Sequence, residues 1–465
     1  MQKEIKVNQP DPPPAGACIN KDWTQGSIVK NLLTLSWPMV VSNTLNILGP
    51  TVDMIWIGKL GPDSVAAIGV AGVVVMLVNS FLMGLFTGLR SMVARYIGAK
   101  DNTSAIHVAQ QAFIVAAILG IILAIIGILA DRWILGVLGV SPNVLEIGSV
   151  YMRINFIGMI AMSLRFTTDG IMQASGDTVN PMKLAVIFRL LHVILSPALI
   201  FGWWIFPQMG ATGAAVAIVF AQTLGSLLGL WILLSGRSRL RLTFHGFKFD
   251  IGVVWRLIKI GIPASIMAVQ NQFGQLVMTA FVAGFGTDAI AAHSICQRID
   301  MAISMPLMGI GMSAGVLVGQ NLGAHKPDRA EKSGWIALLL VEAIFLILSI
   351  AIYIWPAVVI NIFSSDPGLV AIADPYVKIA ALGFMVYAFS MVLQSCISGA
   401  GDTVPPMIIG LVIVWMIQVP LGWVLSRTAL GIYGVRWAVV IGVTLSMIAY
   451  IIYFRSGRWK TKRVW

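Results

Sequence analysis

Long apolar runs dominate this chain: Val108 to Ala130, Leu191 to Ile205, Ala337 to Ala357 and Ala438 to Phe454. A helix needs about 20 apolar residues to cross the hydrocarbon core of a bilayer. In lipid every backbone group must be satisfied internally, so only helices or closed barrels can span. Alternating strands of about ten residues are absent, so the spans are read as helices. Only 11% of the 465 residues are charged, too few to clothe a water-facing surface. The spacing predicts twelve spans, at 32–57, 65–89, 105–130, 145–173, 181–203, 211–235, 253–284, 290–318, 332–358, 370–397, 405–426 and 433–454.

The net charge of +12 does not point to nucleic acid. With the N-terminus inside, one set of connecting segments holds Lys3, Lys6, Lys21, Lys30, Arg90, Arg95, Lys100, Lys183, Arg237, Arg239, Arg241, Lys248, Arg256, Lys326, Arg329, Lys332 and the basic C-terminus from Arg455 to Arg463. The other set holds little beyond Lys59, Arg132, Lys378 and Arg427. This is the positive-inside pattern, and it places both termini in the cytoplasm of a cell inner (plasma) membrane protein. The polar, Pro-rich start has no apolar core, so it reads as a flexible tail rather than a cleaved signal. Cys18, Cys296 and Cys396 show no metal spacing, and a disulfide framework is not expected.

The chain also repeats itself. "SGDTVNPM" at Ser175–Met182 has a near copy in "GAGDTVPPM" at Gly399–Met407, with Asp177 and Asp402 225 positions apart. The same offset pairs Pro38 with Pro263, Asp63 with Asp288, Ala66-Ala67 with Ala291-Ala292, "YIGAKD" at Tyr96 with "NLGAHK" at Asn321, and Tyr151 with Tyr376. Six spans per half is an even number, so the halves share one orientation and an axis along the membrane normal relates them. The expected fold is all-α and integral to the membrane: two pseudo-symmetric six-helix bundles forming a V-shaped cleft. The segments are a tail (1–30), a first bundle (31–235), a basic linker (236–252), a second bundle (253–454) and a basic tail (455–465). Such bundles suit alternating access.

"TQGSIVKNLLTLSWPMVVSNTL", "VDMIWIGKLG", "QASGDTVNPM", "AAHSICQRID" and "QNLGAHK" together resemble the multidrug and toxic compound extrusion (MATE) family, over nearly the whole chain after the tail. The resemblance implies a secondary antiporter that exports organic, often cationic, compounds against inward H⁺ or Na⁺. It implies no other cofactor, no nucleic-acid partner, small organic substrates, a lipid bilayer around it and function as a monomer. It also implies a protonatable first-helix Asp with a helix-bending Pro upstream; Asp53 and Pro38 match. Where the family often writes Asn and Asp in the fifth helix, this chain has His192 and Ser196, followed by Pro197. Loss of those oxygen ligands favours H⁺ over Na⁺, with an Asp53–His192 proton couple. Arg189, His192 and Ser196 share one helix face. Asn271 and Tyr387, candidates with Asp300 for lining the substrate cleft, stand where the NorM-like branch has carboxylates, which favours a DinF-like style with the chemistry in the first bundle.

Charged groups in a bilayer are functional candidates by default. Asp300 reads as a cleft residue that attracts a cation, or as a structural contact. Glu342 lies near mid-membrane with no assigned role. Arg165 and Asp169, at i and i+4, read as a structural pair or a cytoplasmic gate. Competing functions are a lipid-linked sugar flippase, which calls for a basic cleft, and a channel, against which the duplication argues. An enzyme is not expected, because no HExxH, GxSxG or facing Asp pair stands out.

Overall fold

The computed structural model describes residues 21–203 and 205–462. Cys18, Lys3, Lys6, Arg463 and the rest of 1–20 and 463–465 lie outside the described residues. Twelve long helices follow in order: α1 Ile28–Ile57, α2 Pro62–Gly98, α3 Asn102–Val137, α4 Pro142–Ser175, α5 Val179–Phe201, α6 Ala211–Leu234, α7 Ile251–Ala283, α8 Thr287–Gly323, α9 Pro327–Ile354, α10 Pro367–Gly399, α11 Val404–Ser426 and α12 Ile432–Arg455. All but α1 meet the length and apolarity of a membrane span. The 30-residue α1 is more polar, carrying Asn31, Ser36, Ser42, Asn43, Asn46 and Asp53.

Local chemistry sets the ends. Side chains of Ser27, Asp101 and Asp250 accept from backbone amides at the starts of α1, α3 and α7, satisfying donors that helix starts leave open. Pro62, Pro142, Pro327 and Pro367 occupy first turns, where a missing N–H costs nothing. The span expected at 332–358 breaks at Trp355, before a short helix Pro356–Ile360. α11 widens to a π-helix over Val412–Gln418, just before Pro420, whose ring nitrogen cannot continue the ladder.

The repeated Gly-Asp-Thr is a helix stop. Gly176 and Gly401 have φ of 94° and 87°, a conformation that strains any residue with a Cβ. Asp177 N–H bonds to Met172 O at 2.9 Å, and Asp402 N–H to Ile397 O at 3.2 Å, closing both helices with the same 6→1 bond.

Helices α1–α6 form one lobe and α7–α12 the other, but α1 packs on α8 and α7 on α2, so each lobe's first helix also lines the seam. The seam is reciprocal. Gly84 lies on the Ser265 backbone and Gly309 on the Met39–Val40 backbone. Gly98 lies on Gln320 and Gly323 on Arg95. The Arg95 guanidinium donates to Ala400 O at 2.8 Å, and the Gln320 amide donates to Ala174 O at 2.8 Å. Every one of these pairs maps onto its counterpart through the 225-residue offset, give or take one position. The contacts of Gly98, Gly323, Arg95 and Gln320 tie the lobes together at the end that carries the chain termini, here called the basic end, and those of Gly84 and Gly309 lie about 21 Å further along the helices.

Residues 21–27, expected to belong to a flexible tail, form a strap across that end. Trp23 is buried, and its ring lies on Gly176 of the first lobe. Lys326 donates to Thr24 O at 3.0 Å, Arg329 donates to Gln25 O and Gly26 O, and Asn31 donates to Trp23 O and Gln25 O. Burial alone would raise the Asp22 carboxyl, but hydrogen bonds from the Thr24 hydroxyl and amide, with Lys100 and Lys326, hold it below its ordinary value. The expected C-terminal tail also docks: Trp459 is fully buried and stacks on Phe454, Lys460 pairs with Glu331, and Lys462 reaches Asp402. In the linker, Ser238, Leu240 and Leu242 are buried, and Ser238 donates to Asp177. An apolar or aromatic side chain in an otherwise polar segment is what makes docking favourable here.

Candidate functional site

The first lobe buries a compact polar centre. Asp53, four residues from the end of α1, is buried, as are Arg189, His192 and Ser196 on α5. The i, i+3, i+7 spacing aims all three α5 side chains at α1. Ser196 Oγ donates to Asp53 Oδ1 at 2.7 Å. His192 Nε2 lies 3.2 Å from the same oxygen, close enough for an ion pair but out of line for a hydrogen bond. Arg189 Nη1 lies 3.3 Å from His192 Nδ1. A guanidinium can only donate, so Nδ1 accepts and the ring proton sits on Nε2, facing Asp53. Asp53 Oδ2 has no hydrogen bond among the described residues.

Three features that make room for this centre do not stand out in the sequence. A Cβ at Gly49 would fall 1.6 Å from Arg189 Nη1, so the guanidinium passes over bare α1 backbone one turn before Asp53. Pro50 joins Pro38 inside α1, and the missing N–H groups free the carbonyls of Asn46 and Thr34, both on the N-terminal side of that turn. Phe188 stacks on the His192 ring (10° between planes) and lies under both the Arg189 and Arg165 guanidiniums, at 4.9 and 4.1 Å. Beyond Asp53, Ile57, Ile68 and Ile200 close the far end, with Trp56, Phe201 and Tyr151 packed against them. Arg165 Nε pairs with Asp169 at 3.5 Å as the i, i+4 spacing predicts, so a polar track extends from Asp53 past Phe188 toward the basic end.

The second lobe is organised differently. Asp300, read from the sequence as a cleft carboxylate, is gripped by Arg436 of α12 through two bonds, Nη1 to Oδ2 at 3.0 Å and Nη2 to Oδ1 at 2.8 Å. Its charge is therefore compensated, and it offers no free anionic attraction. Nothing in "GIYGVRWA" marks Arg436 as that partner; the two are 136 residues apart. Arg436 also lies over Tyr376, whose hydroxyl is 2.6 Å from His293 Nδ1, while His293 Nε2 reaches Thr279 at 3.1 Å. Tyr387 sits edge-on to Phe345 beside Ser304, within electrostatic range of Asp300. Asn271 is exposed on α7, accepts from Gln270 at 2.9 Å, and has no contact with Asp300 or Tyr387 among the described residues. No cluster of three or more His, Cys, Asp or Glu side chains suited to a metal occurs among the described residues.

The MatE family model matches twice, over residues 38–198 and 263–424, once per lobe and in the register of the repeat. The chain is 26% identical over 445 residues to the probable multidrug resistance protein YoeA of Bacillus subtilis, covering 94% of this chain and 96% of that one. Among solved structures, an outward-facing multidrug resistance MATE transporter of the MOP superfamily superposes with a TM-score of 0.88 at 23% identity, covering 96% of this chain and 98% of that one. A MOP-superfamily transporter from Pyrococcus furiosus, described as having a binding pocket of reverse polarity, superposes at 0.89 with 22% identity, covering 97% and 100%. The relatives are transporters rather than enzymes. With the family pattern matched in both halves, this chain is a member of the MATE family of multi-pass membrane transporters.

Proposed function

We infer that the protein is a proton-coupled antiporter that exports small organic compounds by alternating access, with Asp53 as the proton carrier. The observation that carries this reading is the Asp53 carboxyl: buried, touched on Oδ1 by Ser196 and His192, with Oδ2 left for a proton. The oxygens beside it are too few for Na⁺, which competes for several oxygen ligands, and Arg189 places a fixed cation behind His192. The basic distribution puts the strapped end in the cytoplasm. The lobes are then closed to the cytoplasm, the conformation in which Asp53 takes up a proton from outside. Protonation removes the charge that Ser196 and His192 stabilise. That gives α1, weakened at Pro38 and Pro50, a reason to rearrange. His192 stands beside Asp53 as a positioning group, 3.2 Å from Oδ1, rather than as a second carrier. The position of the Asp53 centre in the first lobe fits the DinF-like style.

Gradient-driven efflux from proteoliposomes tests the reading. An inward pH gradient drives export of a dye and an inward Na⁺ gradient does not; Asp53→Asn abolishes the first. Export driven by Na⁺ alone overturns it. A second reading, flipping of a lipid-linked anionic head group, draws support from the Arg165 and Arg189 guanidiniums stacked on Phe188. The dye panel therefore includes a cation and an anion. Failure of all dyes, with transfer of an anionic lipid instead, moves the assignment to the flippase.

A further inference from the structure

Glu342 takes no part in the centre around Asp53. It lies in the middle of α9, fifteen residues from Pro327 and twelve from Ile354, or about 22 and 18 Å from the helix ends. That depth is inside a hydrocarbon core of about 30 Å. The side chain sits on the border between two faces of α9. On one side Leu338, Val341 and Phe345 are buried in the lobe; on the other Leu339, Leu346 and Ile347 are exposed to where lipid would lie. Glu342 Oε2 is buried and has no hydrogen-bond partner, and the carboxyl forms no ion pair among the described residues.

The neighbouring elements supply no counter-charge. On α8, Asp300 is held by Arg436 and lies, with Arg298, about 10–15 Å nearer the far end by helix rise. His293 is engaged by Tyr376 and Thr279. On α10, Asp374 and Lys378 pair with each other, and Tyr376 and Tyr387 carry no charge to offer. The cations and acids of α9 itself, Asp328, Arg329, Glu331 and Lys332, are confined to its first two turns. On α1, Lys30 is at the basic end and Asp53 belongs to the other lobe's centre. The short helix Pro356–Ile360 has no charged residue. A bare carboxylate in that setting has neither water nor a partner, so the carboxyl must carry its proton.

We propose that Glu342 is a second proton-binding carboxyl, on the lobe opposite Asp53 and at the lipid boundary, and that it is a modification site for lipid-soluble carbodiimides. The chemistry requires the neutral acid. The carboxyl proton moves to one carbodiimide nitrogen, the carboxyl oxygen bonds to the central carbon, and an O-to-N acyl shift gives a stable N-acylurea carrying the mass of the whole reagent. If the antiport reading holds, the second lobe has its own protonatable group, which loses its proton only when motion admits water to this face.

Dicyclohexylcarbodiimide applied to the protein in nanodiscs at neutral pH, followed by peptide mass spectrometry, tests this. Glu342 gains the reagent mass at least tenfold more than the exposed Asp328, the adduct is absent in Glu342→Gln, and it persists in Asp53→Asn, so the result stands apart from the fate of Asp53 as carrier. A water-soluble carbodiimide leaves Glu342 unmodified. No adduct at Glu342 with the lipid-soluble reagent, or equal modification by the water-soluble one, overturns the proposal.

Discussion

Replacing Gly98 with Ala wedges the two lobes apart at the basic end. An added Cβ would stand 2.0 Å from Gln320 O, whereas real Cβ contacts essentially never fall below 3.0 Å, so the seam must open by about 1 Å or more. The obstacle is backbone, which cannot swing aside as a side-chain tip does. Overpacking of this kind costs about 1–3 kcal/mol. Alanine regains up to about 1 kcal/mol of helix propensity over glycine in a helix interior, but less here because Gly98 is the last residue of α2. The clash wins, and it acts only where this seam is closed. The closed state therefore loses roughly 5- to 100-fold in population against any state in which the seam is parted, at 1.4 kcal/mol per tenfold. The reciprocal substitution Gly323→Ala meets Arg95 O at 2.0 Å and carries the same expectation. Spin labels at Thr103 and Asp328, equivalent positions on the two lobes, report the separation in a variant lacking Cys18, Cys296 and Cys396. Both substitutions shift the distance distribution to longer values. Gly136→Ala, where nothing lies within 4 Å, leaves it unchanged. Unchanged distributions in both seam variants would refute the reasoning.

Three further outcomes follow from the geometry. Asp300→Asn or Arg436→Met alone lowers thermal stability in detergent, by about 3–5 kcal/mol where the buried partner is left unpaired, while a double apolar replacement recovers most of the loss; equal losses in single and double variants contradict the pairing. Gly49→Ala displaces the Arg189 guanidinium and reduces gradient-driven export at least tenfold without loss of folded protein; native export rates would show that the Arg189 position is dispensable. The Asp22 carboxyl is held below its ordinary value, so its contribution to the strap is complete above about pH 3.8 and fades as pH falls further. Hydrogen exchange of residues 22–27, corrected for intrinsic rates, rises in that acid range, and in Asp22→Asn it is already raised at pH 7; protection unchanged in both cases contradicts the assignment.

The twelve helices were legible because the bilayer imposes both their length and their composition. Their ends at the basic side were not. The apolar signal of the second span stops near 89, yet α2 runs to Gly98, and α8 runs to Gly323 rather than 318. There the helices run past their apolar stretches into the seam, and small residues, Arg95 and Gln320 make contacts between the lobes. The strap was misjudged for a similar reason: a polar, Pro-rich segment reads as a flexible tail, and nothing in its sequence shows that Trp23 docks on Gly176 or that Lys326 reaches Thr24 O. In the site, the shared face of Arg189, His192 and Ser196 could be read from spacing on one helix. Gly49, Phe188 and Arg436 act across helices, and one chain's spacing carries no record of such contacts.

The most direct test of the Asp53 reading is a proton count on substrate binding. Purified protein in weakly buffered detergent, titrated with an exported dye, releases protons as the dye binds. The release disappears in Asp53→Asn and survives in Glu342→Gln, because the Glu342 carboxyl at the lipid boundary is not the group that releases it. Dye binding without proton release, or release that survives in Asp53→Asn, contradicts the assignment of Asp53 as the carrier.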